Sequence, residues 1–331
     1  MTKILLKRQS FSPKSARSFE LSSGKKRLIT PTFFPAISGS QHNFQPTELV
    51  DLITRNSYPR MLISAYDFSG KGQDGGRNIA EISEYFRNGS FVMLDSGIFE
   101  SSWSRDEKWS FKKYAQTARS VDSDFYFAYD LPAKMKATDD GFARASLWMV
   151  RKSYKIGIDS HCIPIVHGAN PKQLIYVASR VADSLADDTC IIAVPERECG
   201  STILERARTI LQLTNLLGGK RDRLLHILGC GDPVSMALYS YCGADTFDSL
   251  DWTSQIIDRV SLRFRGIAHI DLISCKCNVC KRPFENQMRR ALLHNLLFYQ
   301  DFALQLQSMI KRNTLADFLI EFVGKSSLGK I

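Results

Sequence analysis

Eight short β-type runs alternate with helix-type segments along nearly the whole 331-residue chain, and this alternation restricts the fold more than any other feature. The first four runs are RLITPTFFPAIS from Arg27, MLISAYD from Met61, FVMLDSG from Phe91 and FYFAYDLP from Phe125. CIPIVHG from Cys162, CIIAVPE from Cys190, LLHILGCG from Leu224 and GADTFDSLDW from Gly243 complete the set. Between them lie apolar-periodic stretches such as PTELVDLITRN, FKKYAQTARSV, PKQLIYVASRVADSL and STILERARTILQLTNLLG. A strand followed by a helix or connection, eight times over, is the count of a closed (β/α)8 TIM barrel, whose usual size is about 250 residues plus insertions. The expectation is an α/β barrel with residues 1–331 in a single domain. The units share spacing but not sequence, which excludes a repeat architecture.

A barrel of this kind places its chemistry at the C-terminal ends of the strands. Polar residues occur there in a row: Asp95 ends the third run, Asp130 the fourth, His167 the fifth and Glu196 the sixth, with Asp248 at the eighth. Each Asp alone reads as a helix cap or a loop residue. Several carboxylates converging on one mouth are harder to assign to packing, because a desolvated charge costs several kcal/mol unless it is paired or used. Two carboxylates flanking a sugar carbon are the usual equipment of glycosidic chemistry, one as nucleophile and one as general acid/base.

Cysteine usage adds a second constraint. Cys275, Cys277 and Cys280 fall within six residues, and His294 follows fourteen residues later in the helical-looking run LLHNLLFYQDF. Three thiols and an imidazole are a complete ligand set for a tetrahedral structural Zn2+. The other five cysteines, Cys162, Cys190, Cys199, Cys230 and Cys242, are scattered singly through apolar stretches, which suits reduced thiols in a cytoplasmic protein rather than a disulfide framework.

The formal charge is +10, with Lys and Arg spread along the chain, a balance that attracts polyanions. The N-terminal MTKILLKRQSFSPKSARSFE has too short an apolar run for a signal peptide, and nothing approaches the roughly 20 apolar residues that cross a bilayer. A cytoplasmic protein without membrane attachment is expected.

Four blocks, in order, resemble the tRNA-guanine transglycosylase family: TPTFFP at Thr30 to Pro35, LDSGIF at Leu94 to Phe99, GADTFDS at Gly243 to Ser249, and CKCNVC followed by HNLLFY at His294 to Tyr299. SFELSSGKKR near the start and LGCGDP at Leu228 to Pro233 are weaker echoes, so the likeness spans about residues 18 to 312. The resemblance implies a (β/α)8 barrel with a small zinc-binding insertion, about residues 266–312, between the eighth strand and the last helix. It implies exchange of a guanine in a nucleic acid for a free 7-deazaguanine base such as preQ0, preQ1 or queuine. Carried over by motif, Asp248 is the nucleophile and Asp95 the general acid/base. Asp130 then reads the N1 and exocyclic-amine edge, Phe99 and Leu228 sandwich the base, and Ser96 and Gly229 join the base-binding set. Cys275, Cys277, Cys280 and His294 hold the zinc.

The chain also departs from the family pattern. DSGIFE stands where the family has DSGGFQ or DSGGYQ, and VHG places His167 where a base-reading Gln is usual. AVPERE replaces a glycine-rich pocket segment, so that Glu196 and Arg197 are expected at the pocket rim. Asp248 is followed by SLDWTSQIIDR in place of the arginine-rich loop of the tRNA enzymes, the Cys280 to His294 interval is short, and no RNA-binding domain is expected to follow. These departures resemble the divergent paralogues that act on DNA. The first expectation is a DNA-guanine transglycosylase using preQ0 or a relative, as a homodimer or with accessory modification-cluster proteins. The alternatives are a tRNA or other RNA transglycosylase with the same chemistry, and a noncatalytic zinc-containing nucleic-acid-binding subunit.

Overall fold

The computed structural model describes residues 4–11, 16–39, 44–69, 75–130, 137–185, 189–218, 222–284 and 286–331. The chain begins with a three-stranded antiparallel sheet formed by β1 (Ile4–Phe11), β2 (Arg17–Ser23) and β3 (Lys26–Ile29). A two-residue turn joins β2 to β3, with Gly24 at φ 58°, a conformation that other residues adopt at a cost. The first expected strand, RLITPTFFPAIS, is therefore two strands. Its front half belongs to this hairpin, a cis Thr30–Pro31 bond follows, and only Thr32–Ile37 enters the barrel, as β4. Period-2 patterning alone does not show that break.

The barrel strands are β4, β5 (Arg60–Ser64), β6 (Phe91–Asp95), β7 (Phe125–Phe127), β8 (His161–Ile163), β9 (Ile191–Pro195), β10 (Leu224–Leu228) and β11 (Thr246–Ser249). They form one parallel sheet in the order β8-β7-β6-β5-β4-β11-β10-β9. Its two ends meet through the isolated parallel bridge Ile165–Ala193, where Val166 N donates to Ala193 O over 2.9 Å. The eight parallel strands thus make a nearly closed α/β barrel, as the alternation predicts. Of the expected strand FYFAYDLP, three residues are strand, and Leu131 and Pro132 lie outside the described residues.

Alternation along each strand divides the core in two. Phe34, Leu62, Met93, Phe127 and Ala193 point into the barrel, whereas Phe33, Ile63, Val92 and Ile192 pack outward against the helices. Phe19, Leu21 and Leu28 of the N-terminal sheet join the inner cluster, so this sheet plugs the N-terminal end of the barrel. Two buried ion pairs hold the plug: Arg17 to Asp245 at 2.7 Å and Lys26 to Asp124 at 3.0 Å. With one end sealed, the opposite mouth is left for a site.

The connecting helices are α1 (Pro46–Arg55), α2 (Gly75–Arg87), α3 (Ile98–Trp103), α4 (Phe111–Ser120), α5 (Asp139–Tyr154), α6 (Pro171–Ser184), α7 (Ile203–Gly218) and α8 (Pro233–Tyr241). Their starts are written locally. Asn170 and Asp232 each precede a proline at the first helical position and accept N–H bonds from Gln173 (3.0 Å) and Ser235 (2.8 Å). No helix among the described residues is long and apolar enough to cross a membrane.

After β11 come a 3-10 turn (Asp251–Thr253), the antiparallel pair β12 (Gln255–Asp258) and β13 (Arg263–Gly266), and a second 3-10 segment (Ile267–Leu272). The cysteine loop then leads into α9 (Gln287–Arg312), followed by α10 (Leu315–Val323) and α11 (Lys325–Leu328). The insertion thus lies between β11 and the last helix, as expected, and leads directly into α9. Tyr299 of α9 stacks on Phe33 of β4 with ring centroids 3.7 Å apart and donates to Gly231 O over 2.8 Å, which docks the helix directly on the barrel.

Candidate active site and metal centre

A cavity of about 320 Å³ opens at the C-terminal ends of the barrel strands. Asp95, Ser96 and Phe99 line it from β6 and the start of α3, and Asp130 and His167 from the loops after β7 and β8. Glu196 and Arg197 follow β9, Leu228 and Gly229 end β10, and Asp248 comes from β11. All ten pocket residues expected from the sequence thus face one space.

The turn from β6 into α3 depends on Gly97. Its φ is 75°, and a Cβ there would lie 2.7 Å from Cβ and from the backbone N of Tyr66. Gly97 N donates to Asp95 Oδ2 over 2.9 Å, and α3 then turns Phe99 and Glu100 toward the cavity. Burial, together with the neighbouring charge of Glu100 and then those of Asp130 and Asp248, pushes the Asp95 carboxyl well above its ordinary range. Glu100 is itself 6% exposed, is pushed up by burial, and has an Oε2 without a hydrogen-bond partner among the described residues.

Asp248 sits in a different environment. Its Oδ1 receives His226 Nε2 at 3.0 Å and Gly229 N at 3.2 Å. His226 is fully buried, and its Nδ1 lies 2.9 Å from Thr246 Oγ1, so the Nε2–H tautomer completes the set with the Thr246 hydroxyl as donor. One strand position therefore supplies a carboxyl held well above its ordinary range, and another supplies a carboxyl group that accepts two N–H bonds.

His167 lies between two acids, with Nε2 2.5 Å from Asp130 Oδ1 and Nδ1 2.9 Å from Glu198 Oε1. Burial opposes its charge, but the two carboxylates outweigh burial and push it up to about 10. Both ring nitrogens are therefore engaged. Glu198 also accepts Gly168 N at 3.0 Å, which ties the loops after β8 and β9 together. Glu196 lines the cavity, yet its Oε1 accepts both Arg206 (3.0 Å) and Tyr239 (2.9 Å); Arg197 beside it is exposed.

Glu100, Glu198, His226 and Asp251 also belong to the site, and the sequence gives little notice of them. Glu100 stands in the departure DSGIFE, and His226 occupies an inward position two residues before Leu228 in LLHIL, so strand alternation was the available signal for it. Asp251 accepts the Ser249 hydroxyl at 2.8 Å; burial pushes its carboxyl up.

The second centre lies in the insertion. The ligand atoms of Cys275, Cys277, Cys280 and His294 all lie within 4.8 Å of one another, with His294 Nδ1 3.3 Å from Cys280 Sγ and 3.6 Å from Cys277 Sγ. A tetrahedron with Zn–S of about 2.3 Å and Zn–N of about 2.0 Å has edges of about 3.5 to 3.8 Å, so the donor set fits a metal of that size. His294 Nε2 donates to Ile257 O over 2.8 Å, which fixes the tautomer and turns Nδ1 to the thiols. Cys277 N and Cys280 N each donate to a cysteine sulfur at 3.4 Å. The four residues form a possible metal-binding site between β12 and α9.

The chain is similar to tRNA-guanine(15) transglycosylases of archaea. It is 23% identical over 312 residues to that of Thermococcus onnurineus, with 88% of this chain and 52% of the relative covered. For Archaeoglobus fulgidus the figures are 25% over 277 residues, 80% and 55%, and for Pyrobaculum aerophilum 23% over 320 residues, 88% and 61%. The chain thus spans about half the length of these curated relatives. The sequence profile described as queuine tRNA-ribosyltransferase matches residues 12–327, and the chain belongs to that family.

Proposed function

We propose that the protein is a DNA-guanine transglycosylase, which replaces a guanine in DNA by a 7-deazaguanine such as preQ0 through a covalent aspartyl-nucleotide intermediate. The observation that carries this reading is the pairing, in one cavity, of Asp95, whose carboxyl is pushed up by burial, with Asp248, which accepts two N–H bonds. The pair is suited to an acid and a nucleophile.

In the proposed reaction the target guanine is extracted from the stack and enters the cavity. Phe99 and Leu228 hold its faces, Ser96 and Gly229 contact its edge, and Asp130, held by His167, which Glu198 holds in turn, accepts from N1–H and the 2-amino group. An Asp248 oxygen attacks C1′ as the N9–C1′ bond breaks. The bond's electron pair leaves with guanine, Asp95 gives the base a proton, and an ester joins Asp248 to C1′. The deazaguanine then enters and Asp95 takes its N9 proton. N9 attacks C1′ and the ester electrons return to Asp248. Two displacements retain the configuration at C1′.

The segment after Asp248 favours DNA over tRNA. In the segment SLDWTSQIIDR the one cation, Arg259, pairs with Asp301 at 2.9 Å, and Trp252 is buried, donating to Ala36 O over 2.8 Å, so the segment packs on the barrel. The tRNA reading is favoured by the names of the archaeal relatives. Cys275, Cys277, Cys280 and His294 are proposed to hold a structural Zn2+, which when bound braces α9 against β12 and takes no part in the exchange. The test is incorporation of labelled guanine by the purified protein into DNA and tRNA side by side. Incorporation into DNA alone supports the proposal, and incorporation into tRNA alone overturns it.

A further inference from the structure

Trp103 is 61% exposed, one helical turn beyond Phe99, and the two rings stack with centroids 6.4 Å apart and planes 23° from parallel. A single exposed aromatic needs no explanation. This one continues a ring that lines the cavity, since Phe99 is itself 41% exposed and forms part of the cavity wall. The pair makes a two-step aromatic path from the base cavity to the surface.

The platform under Trp103 is held rigidly. Ser104 N donates to Glu100 O and Asp106 N to Ser101 O, each over 2.8 Å, which closes the end of α3 on itself. Tyr66 donates to Asp106 Oδ2 over 3.2 Å, and the buried Trp109 donates to Ser96 O over 3.1 Å, tying the turn back to the residue after Asp95. The turn after Trp103 carries two exposed cations, Arg105 and Lys108, along with Asp106 and Glu107. A fixed, exposed ring continuous with the cavity wall is a platform for a nucleobase, since every base offers a π-face and stacking on an aromatic ring is tolerant of sequence.

We propose that Trp103 stacks the nucleobase adjacent to the target guanine in the DNA strand, so that the neighbour leaves the duplex stack onto Trp103 as the target passes Phe99 into the cavity. The inference rests on the reading of the cavity as a guanine site. It adds a contact to the polymer that the free base does not make, and it makes the flanking base a determinant of affinity.

The test uses the full-length protein, Trp103→Ala, Trp103→Phe, and guanine-containing DNA oligonucleotides carrying an intact or an abasic neighbour on either side of the target. Trp103→Ala is expected to raise KM and Kd for intact oligonucleotide about tenfold, to erase the difference between intact and abasic-neighbour substrates, and to leave the KM for free base unchanged; Trp103→Phe retains most of the affinity. Binding is read separately by 2-aminopurine placed beside the guanine, whose fluorescence wild type quenches and Trp103→Ala does not. That arm reports on stacking even if no base is exchanged, which keeps failure of the exchange reading distinct from failure of this one. Equal affinity of Trp103→Ala and wild type for intact oligonucleotide overturns the inference. So does a loss of self-association in Trp103→Ala with DNA binding intact, which would assign the ring to a contact between copies of the chain.

Discussion

His226 Nε2 lies 3.0 Å from Asp248 Oδ1, and the Thr246 hydroxyl fixes the other ring nitrogen at 2.9 Å. The imidazole is fully buried inside the barrel, two residues before the strand end that lines the cavity. Its removal leaves a buried carboxylate oxygen with one donor in place of two. A lost hydrogen bond to a charged group costs about 1.5 to 3 kcal/mol. His226→Ala is therefore expected to lower kcat/KM by roughly tenfold to a hundredfold and to lower Tm, whereas His226→Gln, which keeps a donor, recovers part of both. Exchange kinetics with parallel thermal melts check this. Wild-type kinetics in His226→Ala would remove the histidine from the catalytic set.

Glu100 raises the Asp95 carboxyl by its charge, after burial. Glu100→Gln takes that charge away while keeping the side-chain shape. The sign follows directly: with less repulsion Asp95 loses its proton at lower pH, so the alkaline limb of the exchange profile moves toward acid. An unmoved limb in the pH–rate profile would show that the two carboxyls do not communicate.

Asp67 accepts Gly39 N at 2.9 Å, yet burial pushes its carboxyl up to about 7, against the helping hydrogen bond and with a further push from Glu100. A carboxyl whose folded value lies above its unfolded value near 4 holds its proton more tightly in the folded state, so its contribution to stability falls as pH rises from about 4 to about 7 and is level beyond. Asp67→Asn keeps an acceptor for Gly39 and removes the titration. It is expected to match wild type near pH 4 and to exceed it at pH 8 by on the order of 1 kcal/mol, allowing for the solvent that reaches the group. Denaturant titrations at the two pH values measure the difference.

The cysteine centre gives a prediction independent of exchange. About one zinc per chain is expected by elemental analysis, and Cys277→Ser is expected to reduce that content and to lower Tm. The loss is expected to be smaller than the roughly 10 kcal/mol that zinc contributes in isolated fingers, because Tyr299, Phe33 and the barrel core already hold α9. Full zinc content in Cys277→Ser would exclude that thiol from the ligand set.

The barrel was legible because each strand and helix carries its own period, and because proline and Asn or Asp mark the starts of α6 and α8. The site's first layer was legible for the related reason that Asp95, Glu196 and Asp248 sit at or just past strand ends. The split between β3 and β4 was not, since one apolar run feeds two different sheets. His167 shows the other limit. Its position in the cavity follows from the loop it occupies, but its engagement by Asp130 and Glu198 depends on residues 37 positions before and 31 after it, which local pattern does not encode. Glu100 and His226 read as ordinary members of a helix and a strand until the fold places them beside Asp95 and Asp248.

The proposed reaction turns on a covalent bond between Asp248 and the sugar from which guanine departs. The most direct measurement incubates wild-type protein with a guanine-containing DNA oligonucleotide, denatures the mixture and locates any protein–DNA adduct by peptide mass spectrometry. The expected result is an adduct mapped to Asp248, absent from Asp248→Asn and discharged by added free base. Base exchange without any adduct, or an adduct at another residue, would contradict it.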